Sequence, residues 1–421
     1  MKGRIMLRVS KLLLCLLLLI SFCGLAQAQG ILLRGIGAVN DSMAGTAIAT
    51  PLDAAGSIYA NPASISALDC QIGFDLGVIM PHSTVTSDLN GTLKGTAISN
   101  AGQIPAPTMS MIYRDCPNSR LTYGLAIAGV GGAAALYPSS GGLTNPILDG
   151  KAKASNVQLF EIMPTVSYRM TNRLSLGFSP VIGLASLSVN PMQLGMPLGS
   201  GSAMDNYGTR YTWGGGFNVG AYYKMNCRWN TGFTFKSPVW TNAMEFTGTT
   251  AGGLPAEAKF AIDVPMCLGW GISYDGFRKT VIGLDVRYMD YANTKGFSDI
   301  VDPSSGRLVG LGWDSVTAVS LGVERTVNDR MKIRGGYCYN TNPIPSASQY
   351  ANVASPLMMQ HVLGLGGSII MPKDIDLHIA WTHAFHNEVS GSMPSAMGMG
   401  TIHVTNTSYA DTILAGVSKR F

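Results

Sequence analysis

Charge is scarce in this chain of 421 residues: Asp, Glu, Lys and Arg together make up 13%, about half the share of an ordinary soluble protein. Beyond the N-terminus no apolar run reaches the ~20 residues that a spanning helix needs, which excludes a helical membrane protein. Cysteine is thin as well. Cys70, Cys116, Cys227, Cys267 and Cys338 are scattered and odd in number, with no CxxC pair, so neither a disulfide framework nor a zinc site is expected. The basic excess is mostly apparent. Lys2, Arg4, Arg8 and Lys11 precede Leu12–Ile20, and Ala26-Gln27-Ala28 follows. That is a cleavable signal over residues 1–28. Once it is removed the chain is almost neutral, and a nucleic-acid partner loses its support.

What the chain does have is glycine, 51 in all, and 46% hydrophobic residues with a mean hydropathy of +0.21. Low charge with dispersed apolar residues suits a wall whose lipid face is interleaved with polar positions. From Cys70 onward, segments of period-two alternation are separated alternately by short polar turns and long loops. The turns fall at Asp115–Ser119, Thr171–Arg173, Asn226–Arg228, Asp275–Arg278, Asn328–Arg330 and Pro372–Asp374. Long loops fall near 82–106, 132–155, 191–208, 240–260, 291–312, 342–358 and 387–407. The expectation is an all-β fold, a transmembrane antiparallel β-barrel of about 14 strands with both ends on the short-turn side. In Trp229–Lys236, for example, Trp229, Thr231, Phe233 and Phe235 share one face, and Asn230, Gly232, Thr234 and Lys236 the other. Aromatics near strand ends, among them Tyr113, Tyr168, Trp229, Tyr274, Tyr291 and Trp313, read as interfacial girdles. A soluble sandwich would need neither feature. The last segment ends in an aromatic, Phe421, as is typical of chains folded by the outer-membrane assembly machinery.

One stretch does not alternate. Arg34–Leu68 is rich in small residues and ends in Asn61-Pro62-Ala63. Small residues suit a plug that must press its backbone against a wall, and Pro62 pushes Asn61 out of the helical region. No catalytic or metal constellation stands out. His378 and His386 share a strand face that His383 does not, and GVGG at 129–132 precedes no helix or Lys. The charges Asp285, Arg287, Glu324, Lys332, Arg334 and Asp376 read as a lumenal ionic network.

These segments resemble the FadL/TodX family of outer-membrane transporters of long-chain fatty acids and other hydrophobic compounds. The resemblance covers the whole mature chain. It is carried by Gly35-x-Gly37-Ala38, Ala44-Gly45-Thr46-Ala47, Asp53-Ala54-Ala55 and Asn61-Pro62-Ala63, then by MPTVSYRMTNRLSLGFSP (163–180), FTFKSPV (233–239), LDVRYMDY (284–291), MKIRGGYCYNTNPIP (331–345) and IDLHIAWTHAF (375–385). It implies an N-terminal hatch at 29–68 in a barrel at 69–421, with Asn61, Pro62 and Ala63 as its motif. It also implies passive transport of long-chain fatty acids or similar molecules, without enzyme chemistry or cofactor, by a monomer in the Gram-negative outer membrane. Substrate would be caught in a groove between the third and fourth long loops and leave sideways through a kink in the third strand. On this chain the groove would use Met192, Leu194, Met196, Leu198, Trp240, Met244 and Phe246, although the same side chains could simply pack the two loops together. The lateral opening would lie at Gly129, Gly131 and Gly132, where ordinary barrel curvature is the plainer reading. A general porin or structural barrel remains the alternative.

Overall fold

The computed structural model describes residues 29–139, 145–148, 152–194, 203–205, 208–250, 252–301, 307–394 and 400–421; the expected signal lies outside them. Fourteen antiparallel strands form the wall: β1 (Gln71–Leu89), β2 (Ile104–Tyr113), β3 (Leu121–Tyr137), β4 (Lys153–Arg169), β5 (Leu174–Asn190), β6 (Arg210–Lys224), β7 (Trp229–Lys236), β8 (Cys267–Phe277), β9 (Thr280–Met289), β10 (Val316–Asn328), β11 (Met331–Asn340), β12 (His361–Met371), β13 (Ile375–Pro394) and β14 (Thr401–Arg420). Each pairs with its sequence neighbours, and β14 closes on β1 from Gln71↔Arg420 to Leu89↔Ile402. Closure removes the exposed edges that a membrane would not tolerate.

The alternation read from the sequence is the wall itself. On β7, Trp229 and Phe233 are exposed on the outside while Gly232, Thr234 and Lys236 are buried inside. On β11, Ile333 and Tyr337 face out and Arg334, Cys338 and Asn340 face in. Five of the short turns sit where expected. The fourth is Arg278–Lys279, because β8 runs on to Phe277 across a register irregularity. The first and last long loops are shorter than expected. Polar residues there keep the period-two pattern, so β1 reaches Leu89, β13 reaches Pro394, and Leu93–Ile98 folds back onto the end of β1.

The hatch fills the lumen. It contains α1 (Ala38–Ser42), α2 (Ala54–Ala60) and a 3-10 turn (Ser64–Ala67). The Asp53 side chain caps α2 by accepting the Gly56 amide at 3.0 Å. Neither helix has a polar stripe, because α1 is buried on every face and α2 on nearly every one; a sequence search for amphipathic periodicity finds nothing here. The wall makes room with glycine. A side chain at Gly232 of β7 would meet the Ile48 carbonyl at 2.5 Å, and one at Gly364 of β12 the Asp41 carbonyl at 2.5 Å. Charge adds specific anchors. Asp285 of β9 accepts the amides of Ala47 and Ile48 at 2.8 and 2.9 Å, Arg287 donates to the carbonyls of Arg34 and Gly45, and Asp75 of β1 accepts the Ala38 amide at 3.0 Å.

Two aromatics read as girdle members are not on the wall. Tyr291 and Trp313 are almost wholly buried, in edge-on and tilted contact with each other and with Phe297 at centroid distances of 4.8–5.2 Å. The loop between β9 and β10 folds inward, and Tyr291 Oη donates to the Gln29 carbonyl at 2.9 Å. Proximity to a strand end does not tell such a loop residue from an interfacial one.

Candidate functional site: an interior cavity beside a gap in the wall

Asn61, Pro62 and Ala63 are buried against the far wall. Asn61 Nδ2 donates to the carbonyls of Ile48 (2.9 Å) and Ala221 of β6 (3.0 Å), while Asn61 Oδ1 accepts the Ala63 amide at 3.1 Å. Ser167 of β4 donates to the Ala63 carbonyl at 3.1 Å. The motif therefore ties the hatch to β4 and β6, with the 3-10 turn and Leu68 between it and β1.

The wall is interrupted at β3. Its ladder with β2 runs from Tyr113↔Tyr123 to Thr108↔Ala128 and stops. Below and above that point the neighbours part company: β2 continues with β1 as far as Ile79↔Ile104, and β3 continues with β4 as far as Tyr137↔Lys153. The β3–β4 register slips between Gly129 and Gly131, so Val130 is an extra residue of the kind that bends a strand. The outer margin of the break is closed by Asn100 and Ser99, which bond the Leu136 carbonyl and amide at 2.7 and 3.0 Å. Gly129, Gly131 and Gly132 all lie within this window. From inside, the first hatch residues pair with its free edge: the Leu33 amide donates to the Val130 carbonyl (2.8 Å), and the Gly132 amide to the Ile31 carbonyl (3.0 Å). A side chain at Gly131 would meet the Ile31 carbonyl at 2.7 Å, which explains the glycine there.

A cavity of about 140 Å³ lies behind the window. Its apolar lining comes from Pro105, Ala106, Gly129, Ala133 and Phe160 of β2 to β4, from Val362, Ala384 and Leu414 of β12 to β14, and from Leu357 and Met359 of the loop before β12. Arg34, Asp41 and Thr382 give it one charged corner, and Gln29, Ser83, Gln158, Asn340, Ser408 and Thr412 add uncharged polar lining. An apolar cavity of about this size, around 150 Å³ in an engineered protein core, holds a benzene ring.

The third and fourth long loops meet in a small outer sheet, in which Met192 pairs with Met204, and Met204 and Asp205 pair with Thr250 and Thr249. Met192, Met204, Met244 and Phe246 are buried in it, packed in the same cluster as Phe260 and Ile262. Leu194 is partly buried against that cluster, and Trp240 is 54% exposed beside Gly215 of β6. Met196 and Leu198 lie outside the described residues.

Among the described residues the lumenal charges form one triad and two pairs, with no ion pair joining them. Glu324 binds Arg334 at 2.6 Å and Lys332 at 3.4 Å, Asp376 binds Arg420 at 2.7 Å, and Asp285 lies 3.7 Å from Arg287. A further buried pair, Lys236 with Glu161 at 2.5 Å, joins β7 to β4. The histidines diverge. His378 bonds Ser368 and Ser418 inside, His383 bonds Asp411, and a register shift between Ala384 and Asn387 separates His386 from His378.

Three features went unseen in the sequence: the Arg34–Asp41 corner, the pairing of the N-terminal segment with β3, and the Lys236–Glu161 strut. The last two join residues far apart in the chain, and the first takes shape only where the hatch meets Thr382 of β13. The one available signal was the charge of Arg34 and Asp41 within an otherwise small and apolar stretch.

A closed fourteen-strand barrel with a helical hatch defines the class of plugged outer-membrane transport barrels. The chain belongs to the outer membrane protein transport protein family (OMPP1/FadL/TodX), whose profile matches residues 19–421; this is a family of transporters, not enzymes. Its fold is shared by the Pseudomonas putida toluene transporter TodX (16% identity, TM-score 0.68, covering 92% of this chain and 99% of that one). It is also shared by the Ralstonia pickettii toluene transporter TbuX (18%, 0.66, 92% and 99%) and a Pseudomonas aeruginosa FadL homologue (15%, 0.72, 93% and 100%). No curated protein matches the chain.

Proposed function

We propose that the protein is a passive channel for hydrophobic small molecules in the outer membrane of a Gram-negative bacterium. A fatty acid or hydrocarbon is captured where the third and fourth long loops meet, passes to the interior cavity, and leaves into the membrane between β2 and β3. The chain works as a monomer, and its C-terminal strand, ending in Phe421, engages the assembly machinery. What supports the reading above all is the coincidence of a mostly apolar cavity with a stretch of wall where β2 and β3 do not pair with each other. Its size favours a compact molecule of about one ring over an extended long chain. The buried Met192, Met244 and Phe246 suit capture by loops that part, since Met repacks readily around apolar ligands.

The test is uptake of labelled toluene and of labelled oleate by cells with and without the gene, together with a lockable wall. Gly129 faces Ala106 across the window, with the Cβ position of one 3.9 Å from the Cα of the other. An Ala106→Cys/Gly129→Cys pair should, when oxidised, abolish uptake and leave ligand binding intact, with uptake restored on reduction. Uptake that ignores the lock removes the lateral route; absence of uptake for every apolar compound removes the channel itself.

A further inference from the structure

Within the cavity the polar corner is incomplete. Arg34 Nη2 donates to Thr382 Oγ1 at 2.6 Å, but Arg34 Nε is buried without an acceptor. The Asp41 side chain, 7% exposed, accepts no hydrogen bond among the described residues. It stands 3.9 Å from Arg34 Nη2, beyond hydrogen-bond reach. Both residues line the cavity. The backbone behind them is held, since Arg287 donates to the Arg34 carbonyl and the Gly364 backbone packs against the Asp41 carbonyl. A spare donor and a spare acceptor therefore share one end of a mostly apolar space, whose other polar lining, Gln29, Ser83, Gln158, Asn340, Ser408 and Thr412, carries no charge. Buried polar groups left unpaired are costly, so a ligand that completes both is favoured over one that completes neither.

We propose that this corner selects a single-ring apolar ligand carrying one hydroxyl group, a phenol, over the matching hydrocarbon or carboxylate. A hydroxyl is a small group that serves both partners at once, donating one hydrogen and accepting on its oxygen. Its hydrogen goes to Asp41, where the acceptor is charged and the bond correspondingly strong, and its oxygen accepts from the Arg34 guanidinium. A hydrocarbon leaves both partners bare. A carboxylate would satisfy Arg34 but set a second negative charge beside Asp41, a repulsion relieved only by protonating one of the two acids. The inference rests on the cavity being the substrate site.

The experiment compares toluene, p-cresol and p-toluate, which share a ring and methyl and differ in the third substituent. Their binding to the purified full chain is measured by calorimetry at pH 7.5 in one detergent, each corrected for its partition into protein-free micelles. Sites that hydrogen-bond a ligand hydroxyl discriminate strongly against the analogue without it, so p-cresol should bind at least about tenfold more tightly than either of the others. In Arg34→Met/Asp41→Leu, which removes both partners and leaves no lone charge, p-cresol should fall to the level of toluene while toluene binding holds. Barrel integrity of the variant is checked by heat-modifiable gel migration. Arg34→Lys, which changes the donor geometry only, provides a second variant and should lose part of the preference. Equal binding of p-cresol and toluene to the unaltered protein overturns the inference. So does a preference for p-toluate, or a p-cresol preference that survives the double substitution. Failure of all three compounds to bind counts against the cavity as a substrate site, and hence against the channel reading itself.

Discussion

Asp285 on β9 takes the backbone amide of Ala47 at 2.8 Å, and that single carboxylate also holds Ile48 and stands beside Arg287. An amide buried inside a barrel has no water to fall back on, so the wall must supply its acceptor. Asp285→Ala leaves two hatch amides bare and Arg287 short of its neighbour. Removing one member of a buried charged pair costs about 3–5 kcal/mol, and here the loss should fall on the hatch. Hydrogen exchange should show the amides of Ala47 and Ile48 losing protection while the β1–β14 ladder keeps its own. Unchanged protection at those two amides would mean that small-residue packing alone seats the hatch.

Packing can be tested separately. Gly220 of β6 lies against the Asn61 side chain, and Gly232 of β7 against the Ile48 carbonyl. Gly232→Val inserts a branched side chain where a Cβ alone would stand 2.5 Å from that carbonyl, and overpacking of this kind typically costs about 1–3 kcal/mol. The wall is tied by ladders on both sides, so the hatch should yield. Single-channel recording in a planar bilayer should find a larger ion conductance for Gly232→Val than for the unaltered protein. Gly215→Val, at a position with open space around it, should not differ from the unaltered protein.

The barrel was legible because lipid imposes a rule on every second residue. Phe233 and Ile333 face out, Lys236 and Arg334 face in, and the turns interrupt the pattern with charge and glycine. The hatch was legible only as a departure from that rule. Its two helices, buried all round, carry no period, and Asn61 reveals its wall partner only when β6 is folded beside it. Gly129–Gly132 marked an irregular strand, yet nothing local said that β2 would stop pairing at Thr108. Tyr291 and Trp313 misled for a related reason: a loop that turns inward has the same composition as one that meets the membrane surface.

Phe246 provides a test of the outer loops. It is completely buried in the outer sheet, and Phe→Ala in a core generally costs about 3–5 kcal/mol. Because no described strand of that sheet joins the ladder of the wall, the cost should stay local. Limited proteolysis should cut Phe246→Ala within 240–260 sooner than the unaltered protein, while the temperature at which the barrel loses its heat-modifiable migration should move by no more than a few degrees. Apolar uptake should fall too if these loops capture substrate. Faster cleavage with unchanged uptake would leave Phe246 as packing alone.

Acid should tighten the hatch. Burial raises Asp41 and Asp53 from ordinary carboxylate values to about 6, against opposition from Arg34 at Asp41 and from the Gly56 amide and Arg334 at Asp53. Each carboxyl also raises or is raised by other acids nearby, Asp53 acting on Asp41 and Glu324 on Asp53. A carboxyl whose folded value lies above its unfolded one binds more protons when the hatch is seated than when it is released. Seating is therefore most stable below about 4, and that gain is lost as pH rises from 4 through 6. After correction for intrinsic exchange, hatch amides near residues 38–60 should be more protected at pH 5 than at pH 7.5, and Asp41→Asn/Asp53→Asn should flatten the difference. Asn retains the carbonyl that caps α2 at position 53, so the double variant should seat at both values. A hatch that loosens on acidification would show that the pairs holding it from the wall, Asp285 with Arg287 and Glu324 with Arg334, outweigh its own two acids.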